Sequence, residues 1–273
     1  MKLLNKFLLV SKKAHELMAS YSLSENAKSD LLYYRLDLTT MLHAFTFAAA
    51  LFLTGLSLPV QSLQSDAAQL LEYEVAGRTD TDGPRPVLLA LPPGDQSRQL
   101  VEVVERIYWT EEAERLGWTV ISPIAPRGQS LSGSNISRVQ ELVDHVEKTY
   151  DVEYGRVHVA GASNGGRTAL QLALADPERF ASLSLLPGMQ EGIDTIQLES
   201  LTRLPIAMYV GGNDRGWLVP MKAMADELTK LGHPPAVFRV FEGEEHTPKS
   251  LTGKILFQAL ESFRLSPARE GDQ

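Results

Sequence analysis

The chain has 273 residues, 44% of them apolar and 22% charged, with a net charge of −8. This is ordinary globular usage, which excludes a disordered, collagenous or low-complexity chain. Its length suffices for a core that needs no staples. It has no cysteine, which excludes a disulfide framework, thiolate metal sites and a cysteine nucleophile.

Residues 1–62 carry six basic and four acidic side chains, so residues 63–273 carry 20 and 30, a net of −10. Such an acidic body repels phosphate backbones, and no Lys/Arg run forms a basic stripe, so no nucleic-acid partner is expected. The stretch 44–60, AFTFAAALFLTGLSLPV, is uncharged and mostly apolar. That length is at the lower limit for a membrane span and beyond the usual signal-peptide core. Lys28 and Arg35 lie upstream, while Arg78 is the first basic residue downstream. The positive-inside rule then puts residues 1–40 in the cytoplasm and the large domain outside it. Two versions stay open: a signal peptide starting at Met41 and cut near Val60–Ser62, or an uncleaved anchor that tethers the domain to the membrane. Residues 1–62 are accordingly an N-terminal extension, and the product is exported, either periplasmic or secreted, or held at the membrane.

From residue 71 short apolar strands alternate with helical patterns. Strands are predicted at 71–76, 87–91, 118–122, 157–161, 182–186, 206–210 and 237–241. Helices are predicted at 98–116, 135–149, 165–175, 218–231 and 250–263, from apolar positions recurring every three or four residues. Ser134 or Asn135 is placed to cap the second helix, and Pro220 suits the first turn of the fourth. The alternation predicts an α/β fold: a three-layer sandwich around a mostly parallel sheet, over 65–265, with residues 266–273 a frayed tail. In such sheets ligands bind beyond the carboxyl ends of the strands.

The strand VHVA runs into Gly161-Ala162-Ser163-Asn164-Gly165-Gly166 and then into a helix. This is G-x-S-x-G, in which a serine on a strained strand-to-helix turn needs minimal residues two before and two after it. The strand before and helix after separate it from a chance match. A nucleophilic serine needs a base, and the base an orienting carboxylate. Of the six histidines only His233 and His246 follow Ser163. His246 follows a strand directly, whereas His233 sits at the opposite end of the sheet, between a helix and a strand. His145 reads as a solvated helix position, and His158 as packed on a strand. Asp214, after the strand IAMYV, fits the carboxylate, with Asp194, Glu242, Glu244 and Glu245 as alternatives. Backbone N–H groups must meet the developing oxyanion. Asn164 supplies one, and Gly94, the first residue with an N–H after Pro92-Pro93, supplies the other, with Asp95 next.

The elbow GASNGG, GGND after the next strand but one, and EEHTP after the last strand fall in the order of the α/β-hydrolase superfamily, which this chain resembles over nearly all of 71–263. The closest likeness is to small bacterial esterases and depolymerase-like members, such as feruloyl-esterase and dienelactone-hydrolase relatives. The resemblance implies a serine hydrolase that cleaves carboxylic esters through an acyl-enzyme on Ser163, with no metal and no cofactor. It departs from many members in carrying Pro92-Pro93 where they have His-Gly, and its first hairpin looks reduced. Only 188–205 separate the fifth and sixth strands, too little for a large lid. Trp109, beside Tyr108, and Trp217 are candidates for the substrate pocket, and Arg127 and Ser130 for its edge. The substrate class is a small-molecule or polymer-derived ester. A peptidase of the prolyl-oligopeptidase type and an exported binding protein without turnover are the alternatives.

Overall fold

The computed structural model describes residues 70–80, 82–189 and 195–265. These lie within one compact unit, Ala67–Gln273. The apolar stretch 44–60, the tail 266–273 and Asp194 lie outside the described residues, so those readings rest on sequence. Among the described residues no helix is long and apolar enough to cross a membrane.

Seven strands form one sheet in the order β1-β3-β2-β4-β5-β6-β7. They are β1 Tyr73–Gly77, β2 Val87–Leu91, β3 Thr119–Pro123, β4 Val157–Gly161, β5 Phe180–Leu185, β6 Ile206–Gly211 and β7 Val237–Phe241. Only β1, at one edge, pairs antiparallel, with β3; all other pairings are parallel. The helices are α1 Arg98–Val104, α2 Thr110–Leu116, α3 Ile136–Thr149, α4 Asn164–Ala175, α5 Thr195–Glu199, α6 Arg215–Lys230 and α7 Gly253–Leu265. Every residue of β2, β3, β4 and β6 is buried, as a parallel sheet covered on both faces requires.

Consecutive strand residues point to opposite faces. Leu89, Ile121, Val159 and Met208 join the side chains of α3, α4 and α6 in one core. Leu88, Val120, Ala160 and Tyr209 join Val104, Trp109 and Ala113 with Leu256, Phe257 and Leu260 of α7 in the other. Two cores on one sheet make the three-layer sandwich that the alternation predicts.

Three local features differ from the sequence reading. The predicted helix 98–116 is not regular, because a π-helical turn, Glu105–Trp109, separates α1 from α2. The wide turn lies against the start of α7: a Cβ on Gly253 would stand 2.5 Å from the Tyr108 carbonyl oxygen. Second, α6 begins at Arg215, so Pro220 lies inside the helix and not in its first turn. Third, Asn135 occupies the N-cap position of α3 without a side-chain cap; its Nδ2 instead donates to the Ser130 carbonyl at 2.8 Å.

Among the described residues the core holds a buried imidazole. His158 on β4 is 4% exposed, its Nδ1 lies 2.7 Å from Ser182 Oγ, and its ring is 4.8 Å from that of Trp118. Burial, with the Arg264 charge as a lesser cause, lowers its pKa to about 3. The unfolded imidazole titrates near 6.5. Between those values the unfolded chain binds a proton that the folded chain does not, so stability falls as pH falls. The expected slope from this group is about 1.4 kcal/mol per pH unit below about pH 6, present in urea melts of the wild type and reduced in His158→Gln.

Candidate active site

β4 ends at Gly161, and α4 begins at Asn164. Ser163 between them has φ 54 and ψ −114, a region that costs an L-residue about 1–3 kcal/mol. The neighbours that hold this turn are all backbone. Ser163 N–H donates to the Pro187 carbonyl at 2.8 Å, and Ala162 N–H to the Leu91 carbonyl at 3.2 Å. A Cβ on Gly161 would stand 2.2 Å from the Gly165 oxygen, and one on Gly165 2.1 Å from the Leu91 oxygen. Gly166 is equally confined, 2.3 Å from the Pro187 oxygen by the same measure. The elbow is thus wedged between the carboxyl ends of β2 and β5, and only glycine fits on either side of the serine.

β6 ends at Gly211, and the next residues carry Asp214 to the N-terminus of α6. β7 leads into the loop that carries His246. The two loops are sewn together. Asn213 N–H donates to the Glu244 carbonyl at 2.9 Å, and its Nδ2 donates to the Gly243 carbonyl at 3.0 Å. A Cβ on Gly211 would stand 2.1 Å from the Glu245 oxygen. Held this way, His246 Nδ1 lies 2.6 Å from Asp214 Oδ2, and His246 Nε2 lies 3.0 Å from Ser163 Oγ. A carboxylate only accepts, so Nδ1 carries the proton and Nε2 accepts from the serine hydroxyl.

The alternatives considered from sequence stand elsewhere. His233 is exposed beyond the end of α6. The Ser250 hydroxyl, and then the Ser250 amide at 3.0 Å, lower the pKa of the Glu244 carboxyl. The Glu245 carboxylate lies 3.3 Å from Asn213 Nδ2. His145 is half-buried, its Nε2 3.2 Å from the Tyr73 hydroxyl. Arg127 is exposed, and Ser130 Oγ donates to Gln96 Oε1 at 3.2 Å.

The loop after β2 turns sharply at Gly94, where φ is +61, and Gln96 N–H closes it by donating to the Pro93 carbonyl at 3.0 Å. Asn164 Nδ2 donates to the Gly94 carbonyl at 2.8 Å, tying this loop to the elbow. Across a trans peptide the C=O and N–H point in opposite directions. The Asp95 N–H therefore points away from the Asn164 side chain. Among the described residues no acceptor is present for the N–H of Gly94 or of Asn164.

Gln96, which nothing in the linear pattern marks, anchors that loop. It is 1% exposed, with φ 58. Its Oε1 accepts the Leu131 N–H at 2.8 Å, and its backbone oxygen accepts the Ala125 N–H at 2.9 Å. Gln96→Leu leaves a buried N–H without a partner, an expected loss of about 1–3 kcal/mol in urea denaturation. A fall in kcat larger than the rise in KM is expected with it, since the loop positions a donor.

The two tryptophans part company. Trp217, half-buried on the first turn of α6, has its ring 5.8 Å from that of His246. Arg167 of α4 places its guanidinium carbon 4.9 Å from the Trp217 ring centre. Trp109 does not line the site. It is 3% exposed and packs on the rings of Phe257 and Tyr108, at 6.3 and 5.9 Å. Val101, Val104, Tyr108 and Trp109 share the apolar face of this segment, so the tryptophan belongs to the core. Among the described residues no group of three or more His, Asp or Glu side chains is arranged to hold a metal ion.

Residues 137–225, which include Ser163 and Asp214, match the model of the Esterase family. No curated protein sequence matches the chain. Solved structures with the same fold include a thermostable esterase, 16% identical with a TM-score of 0.58, over 69% of this chain and 58% of that one. An S-formylglutathione hydrolase from Agrobacterium tumefaciens is 19% identical with a TM-score of 0.53, over 71% of this chain and 89% of that one. FphF, a fluorophosphonate-binding serine hydrolase from Staphylococcus aureus, is 14% identical with a TM-score of 0.54, over 72% and 93%. The chain thus spans little more than half the length of the thermostable esterase, and at these identities the likeness shows the fold. The chain has the α/β-hydrolase fold that these structures share.

Proposed function

We propose that the chain is a serine esterase in which Ser163 is the nucleophile, His246 the general base and acid, and Asp214 the group that orients His246. The observation that carries this is the unbroken line from Asp214 Oδ2 to His246 Nδ1 at 2.6 Å and from His246 Nε2 to Ser163 Oγ at 3.0 Å. His246 Nε2 takes the hydroxyl proton as Oγ attacks the ester carbonyl, and the carbonyl oxygen becomes an oxyanion facing the N–H groups of Gly94 and Asn164. Collapse expels the alcohol, protonated from Nε2. Water, deprotonated by the same nitrogen, then attacks the acyl-enzyme and releases the acid. The helix α4 points its N-terminus at Ser163, which favours negative charge developing there.

A panel of short-chain nitrophenyl esters beside aminoacyl nitroanilides tests the reaction class. Turnover of the esters, with little on the anilides, is expected. The reverse order would make the chain a peptidase. The reading extends to location: the uncharged stretch 44–60 acts as an export signal or anchor, with the hydrolase domain outside the cytoplasm. Fractionation of cells that express the full chain checks it, and activity confined to the cytoplasmic fraction would oppose it.

A further inference from the structure

Two side chains that the proposed reaction does not use converge beside it. Arg167 follows Ser163 by four residues on α4, and its N–H donates to the Ser163 carbonyl at 3.1 Å. Trp217 follows Asp214 by three residues on α6, and its N–H donates to the Asp214 carbonyl at 3.0 Å. Each therefore stands one turn beyond a member of the triad, and the two helices bring them into contact. The Arg167 guanidinium carbon is 4.9 Å from the Trp217 ring centre, and the Trp217 ring lies 5.8 Å from the His246 imidazole.

Arg167 is exposed, and among the described residues it has no carboxylate partner. Among the described residues of the site, Asp214 is engaged by His246 and Glu245 by Asn213. Contact with the ring face uses the guanidinium's π surface and leaves its in-plane N–H donors open, in the fork that matches a carboxylate. The ring also limits the rotamers of a long side chain, so less freedom is lost when an anion binds. The body as a whole is acidic, net −10 over 63–273, so a local cation at this place is not part of a general basic surface.

The position selects the side of the ester. His246 Nε2 returns its proton to the departing oxygen, so the alcohol leaves on the imidazole side, which Trp217 flanks. We infer that Arg167, braced on Trp217, forms a subsite for an anionic group, a carboxylate, on the alcohol portion of the ester. This rests on the serine-esterase reading above. The substrate class is then an ester whose leaving alcohol carries a carboxylate, with its spacing set by the roughly 6 Å that four residues span along a helix.

The test uses the full chain with para-acetoxybenzoate, whose leaving phenol bears a carboxylate, and its neutral counterpart, methyl para-acetoxybenzoate. The ratio of kcat/KM for the charged over the neutral ester is expected to fall at least about tenfold in Arg167→Gln, as for loss of a charge-assisted hydrogen bond. Part of the ratio returns in Arg167→Lys, which keeps the charge without the fork. In the wild type the ratio is expected to fall as salt is raised, because the site is exposed. A ratio unchanged in Arg167→Gln, while turnover still depends on Ser163, overturns the subsite and leaves the esterase reading standing. A loss confined to mono-para-nitrophenyl succinate, which carries its carboxylate on the acyl side, likewise overturns it. No Ser163-dependent turnover of any of these esters overturns both.

Discussion

Ser163→Ala is expected to lower kcat/KM toward a short-chain nitrophenyl ester at least about a thousandfold, with the fold retained. The loss follows because Ser163 Oγ is the atom 3.0 Å from His246 Nε2, and nothing else at that place can form an acyl-enzyme. Retention of the fold follows from the backbone. With φ 54 and ψ −114, alanine meets the same Cβ penalty as serine, so the exchange leaves the strain unaltered. Ser163→Gly removes that penalty, and its stability is expected to rise by about 1 kcal/mol while activity stays lost. Urea melts beside steady-state rates read both. Equal ester turnover by Ser163→Ala and the wild type would remove the nucleophile assignment.

Asp214→Asn is the second large effect: kcat is expected to fall about 10³–10⁴-fold with little change in stability. Asp214 Oδ2 fixes the proton on His246 Nδ1 and thereby leaves Nε2 free to accept. An asparagine amide in this position can donate to Nδ1, which moves the imidazole proton to Nε2, where it blocks transfer from Ser163. The side-chain size hardly changes, and Asp214 is 14% exposed, so packing should hold. Single-turnover measurement of acylation separates this from an effect on product release. An unchanged acylation rate would mean that another group orients the imidazole.

Much of this architecture is legible in the sequence because its signals are local. The apolar runs at 87–91 and 157–161 coincide with β2 and β4, since a strand buried on both faces is apolar almost throughout, and 237–241 coincides with β7 at the sheet edge, where Arg239 is exposed. The elbow is legible because three backbone contacts exclude a Cβ at Gly161, Gly165 and Gly166, and such exclusion is written directly as glycine. Chain order then directs the search for Asp214 and His246, and the fold brings the three side chains into one line.

What the sequence did not reveal depends on contacts between distant segments. Trp109 is a pocket candidate from sequence, but it packs on Phe257 of α7, a contact between distant segments that the helical pattern of 98–116 does not show. Pro220 suggested a later helix start, whereas the bonds from Trp217 and Leu218 N–H to the Asp214 carbonyl begin α6 ahead of it. Gln96 bears no motif, and Asn213 enters only as the neighbour of Asp214 in GGND. Each acts by bonding a loop far away in sequence, Gln96 to Leu131 and Asn213 to Gly243. Arg167 has no mark of its own within the predicted helix 165–175, and its contact with Trp217 arises only when α6 is in place.

The most direct measurement is labelling of the full chain with a fluorophosphonate, with the modified residue located by peptide mass spectrometry. The reagent reacts with a serine only where a base has raised its nucleophilicity and an oxyanion site receives the phosphoryl oxygen. Modification of Ser163 in the wild type, and its loss in His246→Ala, is the predicted result. A folded wild type that stays unmodified, or labelling that persists without His246, would contradict the proposed triad.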